Sequence, residues 1–126
     1  MATITPTITY PDDDDRSCVQ MIFTPMTFSG SDVSAAIKAP QFADRSVQVY
    51  GTFGAAGNLR VEGSNDGGTT WATLADPQGN ALDITAAKIE QLLELTAQIR
   101  FRVTAGDGTT SLTVAFFGRR QTPPRT

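Results

Sequence analysis

Four aspartates, Asp66, Asp76, Asp83 and Asp107, offer this chain its plainest capacity for chemistry, because two carboxylates facing one another across a cleft can cleave a glycosidic bond. Each stands in or beside a turn rich in Gly or Pro: Asn-Asp-Gly-Gly at 65 to 68, Asp-Pro-Gln-Gly at 76 to 79, Gly-Asp-Gly at 106 to 108. In such turns an aspartate bonds its own backbone, and that structural reading outweighs the catalytic one. The chain has no histidine, so the usual proton-transfer group is missing and Cys18, the single cysteine, lacks an imidazole to activate it. The run Asp12, Asp13, Asp14, Asp15 has enough charge for a hard cation. It lacks the alternate spacing and Gly-containing loop that wrap ligands around one, so a solvated run or one facing a partner's positive charge is expected. No catalytic, cofactor or metal site is expected, and the chain reads as a non-enzyme. Tyr50, Trp71 and Phe117 would make a sugar-stacking platform if one face gathered them. Trp71, however, reads as a core anchor. Phe117 must leave the core if its neighbour Phe116 enters it, and reads better as a subunit contact.

Any such groups need a frame, and 126 residues suffice for one domain with its own core. The composition is 40% hydrophobic and 18% charged, with 11 Gly and 7 Pro, which excludes wholesale disorder and favours short strands joined by many turns. A net charge of −3 without a basic face argues against a nucleic-acid partner. The N-terminus has no basic segment followed by an apolar one, and no apolar run approaches the ~18 residues of a membrane helix. A soluble protein made in the cytoplasm, with no membrane partner, is expected.

Along the chain, residues 1–17 read as an extended N-terminal arm, 18–118 as a β-sandwich domain and 119–126 as a basic C-terminal arm carrying Arg119, Arg120 and Arg125 around two prolines. Pro25 places the 19–28 segment at a sheet edge or bend. Ser46 to Phe53 alternates as a half-buried strand. Leu59 to Gly63 and Thr70 to Leu74 then complete a three-stranded antiparallel meander. Thr85 caps a short helix with Ile89, Leu92 and Leu93 on one side. Ile99, Phe101 and Val103 pair as a hairpin with Leu112, Val114 and Phe116 around Gly106-Asp-Gly108. The sum is an all-β, antiparallel two-sheet β-sandwich, jelly-roll-like, with one short helix and two arms of opposite charge.

Ser64, Asp66, Gly68, Thr70 and Trp71 fit Ser-x-Asp-x-Gly-x-Thr-Trp, a pattern that resembles the Asp-box, a β-hairpin repeated in sialidase propellers and found singly elsewhere. It implies local structure only. A lone box builds no propeller, and the arginine cluster and tyrosine nucleophile of a sialidase are not identifiable. From Gly51 onward, Gly-Thr-Phe-Gly, Val61 to Leu74, Asp76 to Asn80 and Arg102 to Val114 resemble a family of small virion proteins of tailed bacteriophages, over about 70 residues. The chain is similar, more weakly, to discoidin-type galactose-binding sandwiches, from which no ligand residue carries over. The phage resemblance implies a capsid decoration (cement) protein on the virion exterior. Its partner would be the major capsid protein, in a homo-oligomer expected to be a trimer. Asp12 to Asp15 of one copy would then meet Arg119, Arg120 or Arg125 of the next, or each tail would meet the shell. Two rivals stand beside it: a virion-surface carbohydrate-binding module or adhesin taking a surface glycan, and a head-tail connector or tail component.

Overall fold

The computed structural model describes residues 3–11, 17–28, 32–38 and 40–120. Eleven strands lie in two sheets: β1 (Thr3–Ile4), β2 (Thr7–Thr9), β3 (Cys18–Thr27), β4 (Val33–Ser34), β5 (Asp44–Thr52), β6 (Asn58–Ser64), β7 (Ala72–Thr73), β8 (Asp83–Ile84), β9 (Lys88–Gln91), β10 (Gln98–Ala105) and β11 (Ser111–Arg119). The first sheet runs β1-β4-β10-β6-β7 with β8 also on β6, and the second runs β2-β3-β11-β5-β9. All pairings are antiparallel except β1 with β4.

Both sheets turn their apolar parity onto one core. Val19, Phe23, Val47, Val49, Val114 and Phe116 come from one side, and Leu59, Val61, Ile99, Phe101 and Val103 from the other. Phe101 joins them, its ring centroid 5.4 Å from Phe23 and 6.2 Å from Phe116. Burial of these side chains outweighs the entropy of ordering the strands, and period-two alternation is the pattern that permits it.

Several expectations change. No helix forms at 85–93. Lys88–Gln91 instead completes the edge of β5, pairing Gln48 with Ile89 and Val47 with Glu90. Only Leu92 of the apolar triplet is buried, while Ile89 and Leu93 are 62% and 55% exposed. So short a helix is costly to nucleate, and an open strand edge offers its hydrogen bonds at once.

The meander and the C-terminal hairpin are also corrected. β5 lies in one sheet and β6 in the other, as do β10 and β11; residues 53–57 and 106–110 are therefore arches that carry the chain across the core. Of the meander only β6 with β7 pairs, Glu62 opposite Thr73 and Gly63 opposite Ala72. The two arches brace each other. The Ala55 amide donates to Asp107 Oδ2 at 2.8 Å, and Thr110 Oγ1 donates to the Phe53 carbonyl at 2.7 Å. Gly54, at φ +70°, sits so close that a Cβ there would meet the Asp107 carboxylate.

The N-terminal segment expected as an arm supplies an edge strand to each sheet, β1 on β4 and β2 on β3. Arg119, expected in the C-terminal arm, is the last residue of β11, between Cys18 and Asp44. Pro25 sits at a bulge of β3, where the register against β11 shifts between Leu112 and Val114.

Candidate functional site

The hairpin between β6 and β7 is held by one carboxylate and one hydroxyl. Asp66 Oδ1 accepts from the Thr70 amide at 2.9 Å, the Thr69 amide at 3.1 Å and the Ser64 hydroxyl at 2.7 Å. Ser64 Oγ in turn accepts from the Gly68 amide at 3.1 Å. Gly67 and Gly68 hold φ of +81° and +89°, which side-chain-bearing residues adopt only with strain. The Trp71 indole N–H closes the turn onto the Gly68 carbonyl at 2.9 Å.

Trp71 is not the core anchor expected of it. The ring is half-buried and lies over the Arg100 guanidinium, 4.3 Å from its carbon to the ring centroid, on the outer face of the first sheet. That face also carries an ion network. Glu62, its side chain 6% exposed, accepts from Arg100 Nε at 2.7 Å and Arg102 Nη2 at 3.0 Å, and Arg60 pairs with Asp83 at 2.8 Å. Burial pushes the Glu62 carboxyl up, but the hydrogen bonds and charges of Arg102 and Arg100 hold it below its ordinary value.

Asp66 and Asp107 do not assemble a catalytic pair. Asp66 follows Ser64, which pairs with Gln98, whereas Asp107 follows Ala105, which pairs with Asn58 at the other end of the same two strands. Six residues of strand separate these ends by roughly 20 Å, far beyond the reach of paired carboxylates. Asp76 Oδ1 accepts from the Asn80 and Gln78 amides at 2.9 and 3.0 Å, and Asp83 Oδ1 from Asn58 and Arg60. Among the described residues no group of three or more Asp, Glu or Cys side chains is placed to hold a metal. Among the same residues there is no helix long and apolar enough to cross a membrane.

Asp66 and Asp107 are both held down to about 2. The Thr70 amide and Ser64 hydroxyl are the main causes for the first, the Thr109 hydroxyl and Ala55 amide for the second. A folded-state value below the unfolded one stabilises the fold above the unfolded value, and the gain is lost as pH falls towards the folded one. The urea midpoint is therefore expected to hold level at pH 5 to 7 and to fall between about pH 4 and pH 2. Asp66→Asn with Asp107→Asn will flatten that slope; an unchanged slope would show that neither carboxylate carries it.

The three aromatics of the sugar-stacking reading are divided between opposite faces. Trp71 covers the first sheet, while Tyr50 and Phe117 project outward from the second, 42% and 40% exposed. Phe116 and Phe117 split as the alternation requires, the former fully buried. Around Phe117 the outer face consists of residues such as Gln20, Ser46, Gln48, Thr113 and Ala115. The charged side chains with outward parity on its described strands are Asp44 and Arg119, joined at 2.8 Å. A shallow hollow of about 280 Å³ lies beside Phe117, lined by Gln20, Ser46, Gln48, Ile89 and Ala115.

Of the expected partner contacts, Asp12 to Asp15 and Arg125 lie outside the described residues. Arg119 is engaged by Asp44, and the Arg120 amide donates to the Ser17 carbonyl at 2.8 Å. The strands leading to the two terminal segments thus lie side by side at one end of the second sheet. Sequence reasoning missed Glu62 and the inward-facing, buried Arg45, whose Nη2 reaches the Thr96 carbonyl at 3.4 Å. Glu62 shares outward parity with Arg60, Arg100 and Arg102, a signal readable once β6 is paired with β10. Arg45 leaves no such trace. No family model matches the chain, and neither a curated protein nor a solved structure matches it.

Proposed function

We propose that this chain is a non-enzymatic structural protein of a tailed-phage virion, decorating the capsid exterior and bridging major capsid protein subunits. The observation that carries a structural role is the use made of the turn aspartates. Asp66, Asp76 and Asp107 each bond amides of turns or of a neighbouring arch, and Asp83 pairs with Arg60. Polar groups spent in this way rigidify a globule; they do not wait on a substrate. The decoration role itself rests on the resemblance of Gly51 to Val114 to phage virion proteins. A jelly-roll sandwich bound at symmetric sites of the shell belongs to the same reading. The adjacent roots of the terminal segments favour grip from one end of the second sheet.

Purified protein added to shells of its phage assembled without it is expected to co-sediment with them and to raise their melting temperature. Shells that neither bind the protein nor gain stability would overturn the reading. Loss of binding after Asp12 to Asp15 are changed to Asn, or after residues 121–126 are removed, with the strands at 3–9 and up to Arg119 kept, would place the contacts in those segments. A glycan-binding role draws on exposed Tyr50 and Phe117, and predicts glycan-array binding that Tyr50→Ala and Phe117→Ala abolish.

A further inference from the structure

We propose that the outer face of the β2-β3-β11-β5-β9 sheet is a homodimer contact. Two copies would pack sheet on sheet, with Phe117 of each seated in the hollow beside Ala115 of the other. Three properties of this face point to a second copy as its occupant.

The first is shape. A two-fold contact uses the same patch on both subunits, so a protruding group and the recess that receives it must occur side by side on one surface. Phe117 and the hollow of about 280 Å³ formed with Ala115, Ser46 and Gln48 are such neighbours. The hollow exists because the central strand carries alanine at 115 and β5 carries serine at 46, both small beside a phenylalanine that projects from the same plane.

The second is charge. Asp44 and Arg119 neutralise each other at one end of the face, so two copies meet without like-charge repulsion. The opposite sheet differs: three arginines share two carboxylates there, and self-packing would bring that surplus positive charge together.

The third is area. Five strands at ~4.8 Å spacing and about 25 Å of strand length give roughly 600 Å² per copy, or about 1,200 Å² in all, the lower bound of a stable specific interface. Phe117, Tyr50 and Ile89 would lose most of the exposure they have in one copy alone.

The inference does not rest on the decoration reading, since it is tested without a shell. Sedimentation equilibrium of the full chain at tens of micromolar is expected to give twice the 13.4 kDa of one copy. Phe117→Ser should weaken the association at least roughly 30-fold, as loss of a central aromatic anchor does. Ala115→Arg, which fills the hollow with a charge, should leave monomer, while Thr73→Arg on the opposite sheet should leave the dimer intact. Should Ala115→Arg fail to fold, as judged by its thermal melt, Phe117→Ser decides alone, because its side chain is already exposed. Monomeric wild-type protein, an oligomer indifferent to Phe117→Ser, or a dimer lost with Thr73→Arg would each overturn the proposal.

Discussion

Phe101→Ala will lower the unfolding free energy by about 3 to 5 kcal/mol, the range for emptying a phenylalanine site in a core that cannot collapse around it. The site is rigid because Phe101 lies on β10 of one sheet while its ring neighbours, Phe23 and Phe116, lie on β3 and β11 of the other. Removing the ring leaves a void between layers that neither sheet can close without moving as a whole. The backbone there is pinned as well, since the Phe101 amide donates to Ser34 Oγ at 2.8 Å. Against a total stability of roughly 5 to 15 kcal/mol such a loss is severe. Urea denaturation measures it directly, with Leu95→Ala as the control, a leucine 56% exposed and outside both sheets that should shift stability by under about 0.5 kcal/mol. A loss below about 1 kcal/mol for Phe101→Ala would mean that the two sheets do not share this core.

Glu62→Ala is the second large effect, expected at about 2 kcal/mol. Its carboxylate is almost wholly covered yet serves two guanidiniums on one strand, at 2.7 and 3.0 Å. Breaking a fully buried pair costs about 3 to 5 kcal/mol, whereas exposed pairs contribute about 1 or less. Arg100 and Arg102 remain 26% and 33% exposed, so water screens part of the loss and the value falls between these limits. Without Glu62, the two arginines and Arg60 across from Arg102 stand as neighbours with one carboxylate, Asp83, among them. Glu62→Gln keeps the shape and one acceptor and should cost about half as much. The difference between wild type and Glu62→Ala should shrink in high salt, as screening relieves the repulsion. A salt-independent loss would point to packing rather than charge.

The arches show how a correct local reading yields a wrong neighbour. Ile99, Phe101 and Val103 do alternate toward the core, and so do Leu112, Val114 and Phe116, with a Gly-Asp-Gly turn between them. That pattern is identical for a hairpin, whose strands pair side by side, and for an arch, whose strands face each other through the core. The deciding interactions come from residues 52 positions apart in the chain, Ala55 and Asp107. Asp107 therefore braces the joint between two arches as well as shaping its own turn. Its turn role was legible from Gly-Asp-Gly, and its bracing role was not.

Alternation and turn chemistry, both properties of a few adjacent residues, sufficed to determine the all-β character, most strand positions, the outward Phe117 and the backbone-bonding roles of Asp66, Asp76 and Asp107. Such features are decided by which side chains can share a face and which backbone angles a residue tolerates, and both are written locally. Tertiary structure alone decided that β5 and β6 part company, that Lys88–Gln91 becomes an edge strand, that Trp71 covers Arg100 outside the core and that Glu62 is buried between two arginines. Each depends on which strand lies beside which. Strand neighbours are chosen by the burial and hydrogen bonding of the whole chain at once, for which no short segment carries the signal.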